Sequence, residues 1–179
     1  MDTPNQPVIV LSRALDQAGD LLATIQHAEL GRPTPCGEWT VRELADHLTA
    51  APEHFLQQAR GEEVDWTARA EVVDGGWATH FRAEADDLIH HWHSQPADAL
   101  AQADWQTAEV AVHTWDLVRA LGRSVELDEE VAERGLAFVR EGLTSENRGD
   151  AFGPAVDVPE DAGAYERLAA FAGRDPSSS

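Results

Sequence analysis

The apolar residues of this chain recur every three or four positions over long stretches, the spacing of helices with one buried face. Between residues 8 and 28, Val8, Leu11, Leu15, Ala18, Leu22 and Ile25 fall on a single helical stripe. Gly31, Pro33 and Pro35 then break the chain into a loop. In the following stretch, TVRELADHLTAAPEHFLQQ, Thr40 and Glu43 stand three apart, a capping-box pattern that starts a second helix near Val41. Leu44, Leu48 and Phe55 supply its apolar stripe. Pro52 inside it predicts a kink or a split, because proline lacks the N–H that the helix ladder needs.

Residues 59 to 76 are polar, contain Gly61, Gly75 and Gly76, and read as a long connection. A third helix is expected from about Trp77 to Ser94, ending before Pro96, and a fourth over residues 104 to 121, closed by Gly122. A fifth begins after Leu127, where Asp128, Glu129 and Glu130 complement the positive end of the helix dipole, and runs to about Leu143. An irregular Pro/Gly segment, a short sixth helix around residues 161 to 172 and a disordered end follow. No strand alternation and no internal repeat competes with this reading. The expected fold is all-α, a four-helix bundle with additional short C-terminal helices, forming one domain over residues 1–175 with a disordered tail at 176–179. The connections after the second and third helices admit crossovers as readily as up-down turns.

Composition narrows the chemistry. A chain of 179 residues buries most of its surface as one domain without disulfides or metal staples, and 42% hydrophobic residues supply a core. No apolar run approaches the roughly 20 residues needed to span a bilayer, and Met1 to Pro7 lacks the basic and apolar regions of a secretory signal, so the cytoplasm is the expected location. The single Cys36 excludes an internal disulfide and any multi-cysteine zinc site. It lies several residues before the second helix, with no evident base nearby, and reads as a buried structural thiol rather than a nucleophile. Net charge is −20, and all 13 basic residues are arginine. Such a field repels phosphate backbones, so neither nucleic acid nor an anionic membrane is an expected partner.

Candidate chemistry begins in AEVAVHTWDL, residues 108 to 117, where Glu109 and His113 sit four apart on an otherwise apolar helix. That spacing lets one helix offer two ligands to one metal, and it is equally the spacing of an ordinary Glu–His hydrogen bond. A third ligand has to come from another helix. His47 is the best placed, since Leu44 and Leu48 turn its face toward the core; a core-edge histidine is the alternative reading. His54 lies beyond Pro52, where its direction is unreliable, and His90, His91 and His93 point in different directions and read as solvated. His27 has no ligand-spaced partner, and His80 with Glu84 merely repeats the four-residue spacing. Asp116, three residues from His113, is a candidate to orient that imidazole, with solvation or pairing to Arg119 as alternatives; Asp46, beside His47, points elsewhere. Trp39 and Trp115 read as core.

Three segments, TPCGEWTVRELADHLTA, AEVAVHTWDLVRALG and FGPAVDVPEDAGAYERLAAFAGRDP, resemble the actinobacterial branch of the DinB-like superfamily, which includes the N-terminal domain of mycothiol-dependent maleylpyruvate isomerase. The resemblance runs from the first helix to the tail. It implies a four-helix bundle holding a divalent metal near one end of its core, with His47, Glu109 and His113 as ligands. Two nitrogens, one oxygen and an open position suit a catalytic ion, zinc best, with nickel, iron or manganese also accommodated.

By the same resemblance, the function is a metal-dependent mycothiol transferase or isomerase: a metal-activated thiolate attacks a small electrophilic metabolite. The isomerase carries a further C-terminal domain, so a single-domain relative acting on another electrophile is expected. Two other functions stay open, a metal-dependent hydrolase using metal-bound water and a non-catalytic metal- or ligand-binding bundle. The expected partners are a small-molecule substrate and a low-molecular-weight thiol, with a homodimer also compatible. The acidic surface disfavours an acidic substrate at long range, which Arg42, Arg119 or the metal could offset locally.

Overall fold

Helices form where the apolar stripes predict them. A computed structural model describes residues 3–148 and 152–178; Met1, Asp2 and Ser179, parts of the expected signal-free N-terminus and tail, lie outside the described residues. Six α-helices and no strand occur among the described residues: α1 (Gln6–Leu22), α2 (Val41–Ala59), α3 (Trp77–His93), α4 (Ala103–Leu121), α5 (Glu129–Gly142) and α6 (Ala164–Phe171). The fold is an all-α bundle of the DinB-like type.

The start of α2 is built as its sequence demands. Thr40 Oγ1 accepts a hydrogen bond from the Glu43 N–H, and the Glu43 carboxylate accepts one from the Thr40 N–H at 2.8 Å. Of the two expected outcomes, a kink or a split, the split does not occur: α2 is one continuous helix through Pro52. An interior proline costs about 3 kcal/mol. Here Ala51, Pro52, Phe55 and Leu56 are all buried, so packing offsets the lost hydrogen bond. The first helix ends at Leu22 rather than near residue 28: the Thr24 hydroxyl bonds back to the Leu21 carbonyl at 2.8 Å, and Gln26 opens a 3-10 turn, His27–Glu29. Ile25 keeps its place against the core without being helical. Gly122 takes the left-handed conformation (φ 61°) that ends α4, and the Asp128 carboxylate caps α5 through the Glu130 N–H at 3.0 Å.

Among the first four helices the pairings run α1–α3, α3–α2, α2–α4 and α4–α1. Consecutive helices α1 and α2 are therefore diagonal across the bundle, as are α3 and α4, and the connections cross over. The apolar stripes meet inside this square, with Leu11, Leu44, Leu48, Phe55, Phe81, Leu88 and Leu117 fully buried. Helices α5 and α6 pack on each other and on α4, forming an outer layer. No described helix is long and apolar enough to cross a membrane.

Candidate metal centre

Because α2 and α4 are neighbours in the square, His47 on α2 meets Glu109 and His113 on α4. The Glu109 Oε1 atom lies 3.1 Å from His113 Nε2 and 3.5 Å from His47 Nε2. The three ligand-type atoms are all within 4.8 Å of one another. The two imidazoles stand edge to face, 4.8 Å between centroids. The three side chains line a pocket of about 500 Å³, and Glu109 keeps a quarter of its side chain open to it.

Asp116 is neither solvated nor paired with Arg119. It is fully buried, and its Oδ2 is 3.2 Å from His113 Nδ1. Arg174, also buried, donates from Nε to Asp116 Oδ1 at 3.1 Å and from Nη2 to Oδ2 at 2.9 Å. Arg119 instead covers the Trp115 ring and donates to the Pro176 and Ser178 carbonyls. Asp46 does point elsewhere, accepting the Trp77 indole N–H at 2.7 Å.

These neighbours decide the charge states. Burial opposes charge on Glu109, yet the charge and hydrogen bonds of His113, with those of His47, hold its carboxyl far below the usual range. Burial likewise disfavours the Asp116 carboxylate, but His113 and Arg174 keep it below its ordinary value. For His113, burial favours the neutral ring; the Glu109 charge and hydrogen bonds that the ring donates to Asp116, Cys36 and Glu109 outweigh it and raise the pKa well above normal. Burial pushes His47 down. Two carboxylates, Glu109 and Asp116, thus meet the two imidazoles and the Arg174 guanidinium at one end of the pocket. A divalent ion suits the same set: two imidazole nitrogens and a carboxylate oxygen converge on a pocket, and the other ring nitrogen of His113 is held by a carboxylate.

Two residues read as structural from sequence lie on the pocket wall. Trp39 is half-buried and lines it, its ring 4.8 Å from that of His47 and 6.1 Å from that of His113, with the Arg69 guanidinium 4.5 Å above it. Cys36 also lines the pocket, half-buried, with its sulfur accepting from Arg174 Nη2 at 3.5 Å. With His113 and Asp116 it forms a second group of metal-capable side chains. Both are turned inward by the loop between α1 and α2, which folds back on itself so that Thr34 N–H meets the Trp39 carbonyl at 3.0 Å and Pro33 bridges Thr40. Their setting in TPCGEWT was visible, but the fold-back was not.

Other expectations resolve simply. Trp115 is core, 5% exposed. His54 is buried against Trp66, away from the pocket, and His27 is exposed beside Asp74. His90 and His93 are exposed and His91 half-exposed. Arg42 pairs with Asp74 at 2.7 Å, so neither it nor Arg119 lines the pocket; Arg174 does. No reading of the sequence alone picked out Arg174. Its one signal was a Gly-Arg pair directly after an apolar helix.

Residues 11–125, from within α1 to just past the end of α4, match the family model described as the mycothiol maleylpyruvate isomerase N-terminal domain. Two uncharacterized proteins of Mycobacterium tuberculosis, from strains CDC 1551 / Oshkosh and H37Rv, are each 31% identical to this chain over 183 residues, covering 94% of it and 97% of their own length. No solved structure matches. With its helical bundle and a family match over more than half its length, the chain belongs to the mycothiol maleylpyruvate isomerase N-terminal domain family.

Proposed function

We propose that this protein is a metal-dependent transferase or isomerase in which a low-molecular-weight thiol, mycothiol by family, reacts with a small electrophile. The supporting observation is the meeting of His47, Glu109 and His113 at one pocket, their ligand atoms within 4.8 Å of one another. These three side chains would hold a divalent ion, zinc by donor preference. When bound, such an ion lowers the pKa of a coordinated thiol or water and so supplies a nucleophile at neutral pH.

The chain's own residues do the rest. Asp116 holds the proton of His113 on Nδ1, leaving the Nε2 lone pair directed at the site. Glu109 adds the negative charge that a cation requires. The Trp39 ring forms the side of the pocket next to both imidazoles. A volume of about 500 Å³ accommodates a small thiol and its electrophile rather than a macromolecule.

Metal analysis of the purified protein, followed by turnover assays with mycothiol and candidate electrophiles, tests this reading. We expect about one divalent ion per chain, thiol-dependent consumption of an electrophile, and loss of both in His113→Ala. Hydrolysis without thiol would transfer the activity to bound water. A protein that carries no metal and whose melting temperature ignores added zinc or nickel would sink the proposal.

A further inference from the structure

The family match ends at residue 125, yet part of the pocket wall is made by residues far beyond it: Phe152, Gly153, Gly173 and Arg174. Arg174 reaches the interior because of how α6 ends. The Gly173 N–H bonds the Ala170 carbonyl at 3.0 Å and the Arg174 N–H bonds the Ala169 carbonyl at 2.9 Å, the paired bonds of a Schellman motif. Gly173 has φ 90°, and an added Cβ there would lie 2.6 Å from the Gly153 backbone, so glycine is required on both counts. The residue after such a glycine commonly packs an apolar side chain back on the helix. Here it is an arginine turned inward, 6% exposed.

Its guanidinium is fully engaged on one side by protein. Nε and Nη2 grip both oxygens of Asp116, Nη1 donates to the Ala172 carbonyl at 3.0 Å, and Nη2 also reaches Cys36 Sγ. Asp116, held this way, also meets His113 Nδ1 through its Oδ2 at 3.2 Å. A planar fork binding both carboxylate oxygens fixes the plane of that carboxylate, which a point charge does not.

We propose that Arg174 is a positioning residue for the candidate metal centre: through Asp116 it sets the ring orientation and tautomer of His113, so that the C-terminal segment completes a site whose ligands all lie in α2 and α4. The inference rests on the metal-site reading above. It assigns Arg174 no contact with substrate.

Cobalt(II) serves as the probe, with its affinity and absorption spectrum measured in wild type, Arg174→Gln, Arg174→Lys, Asp116→Asn and the Arg174→Gln/Asp116→Asn double variant. Melting curves of the metal-free proteins run alongside. Loss of a residue that orients a ligand histidine costs metal affinity about 10- to 100-fold. We expect Arg174→Gln to lose that much while still melting cooperatively without metal, with an altered cobalt spectrum. Arg174→Lys, which keeps the charge but not the fork, should fall between it and wild type, and it carries the test if Arg174→Gln does not fold. The double variant should bind no more weakly than Asp116→Asn, because both changes cut one relay. Wild-type cobalt affinity and spectrum in folded Arg174→Gln or Arg174→Lys would overturn the relay alone; so would losses that multiply in the double variant. Absence of cobalt binding by wild type would overturn the metal-site reading and the relay with it.

Discussion

Cys36 shows how little a residue's type says about its place. A lone cysteine in a loop reads as a small buried hydrophobe, but folding leaves it half-exposed on the pocket wall, with weak contacts from its sulfur to Arg174 and His113. Cys36→Ala should therefore shift the urea unfolding free energy by less than about 1 kcal/mol, as partly exposed sites do. A loss above about 2 kcal/mol would restore a structural role. Glu29 is the opposite case, an acidic residue in a polar stretch that is 5% exposed and bound by Arg123 Nη2 at 2.8 Å and Arg32 Nη1 at 3.0 Å. The Arg123 hydrogen bond, with the Gln26 N–H, holds its carboxyl below the ordinary value. Because the folded pKa is depressed, the stabilisation is complete above the unfolded value of about 4.3 and fades as pH falls through the lower folded one. Glu29→Gln should accordingly unfold more easily than wild type at pH 7, and the gap should shrink below about pH 4. A gap independent of pH would mean that packing, not charge, anchors the loop.

At the scale of elements, the capping box of α2 links sequence to site most directly. Thr40 and Glu43 satisfy the first free N–H groups of the helix that carries His47. Thr40→Ala should cost about 1 kcal/mol in chemical denaturation, and Thr40→Ser should restore most of it. Equal stabilities of Thr40→Ala and Thr40→Ser would show the cap to be idle. This cap was legible from two residues three apart, as were the start of α5 at Asp128 and the end of α4 at Gly122, because each depends only on chain neighbours. Pro52 misled for the converse reason: local rules predict a break at proline, and α2 is continuous there, with Pro52 and its neighbours buried. At Ile25 the Thr24 hydroxyl bonds back to Leu21 where the helix ends, and the isoleucine packs on the core without being helical.

For the whole molecule, a net charge of −20 is spread over 179 residues. Like charges at close range destabilise a compact state, and salt screens them over about 10 Å at 0.1 M. The melting temperature should rise as sodium chloride is increased from about 0.01 to 0.5 M. A falling melting temperature would mean that surface ion pairs such as Arg82–Asp20 and Arg42–Asp74 outweigh the repulsion.

By itself, the sequence determined the helices, most of their ends, the helical class of the fold and the pair Glu109 and His113, because each follows from spacing within a few residues. The Leu44 and Leu48 stripe singled out His47 as the candidate third member, and family likeness joined the three. Only the tertiary structure decided that α2 stands beside α4, that Trp39 and Cys36 line the pocket, and that Asp116 is gripped from behind by Arg174, 58 positions along the chain. Those contacts arise from a crossed-over bundle and a glycine turn after α6, where distant segments meet to bury apolar surface, and spacing along the chain carries no record of such meetings.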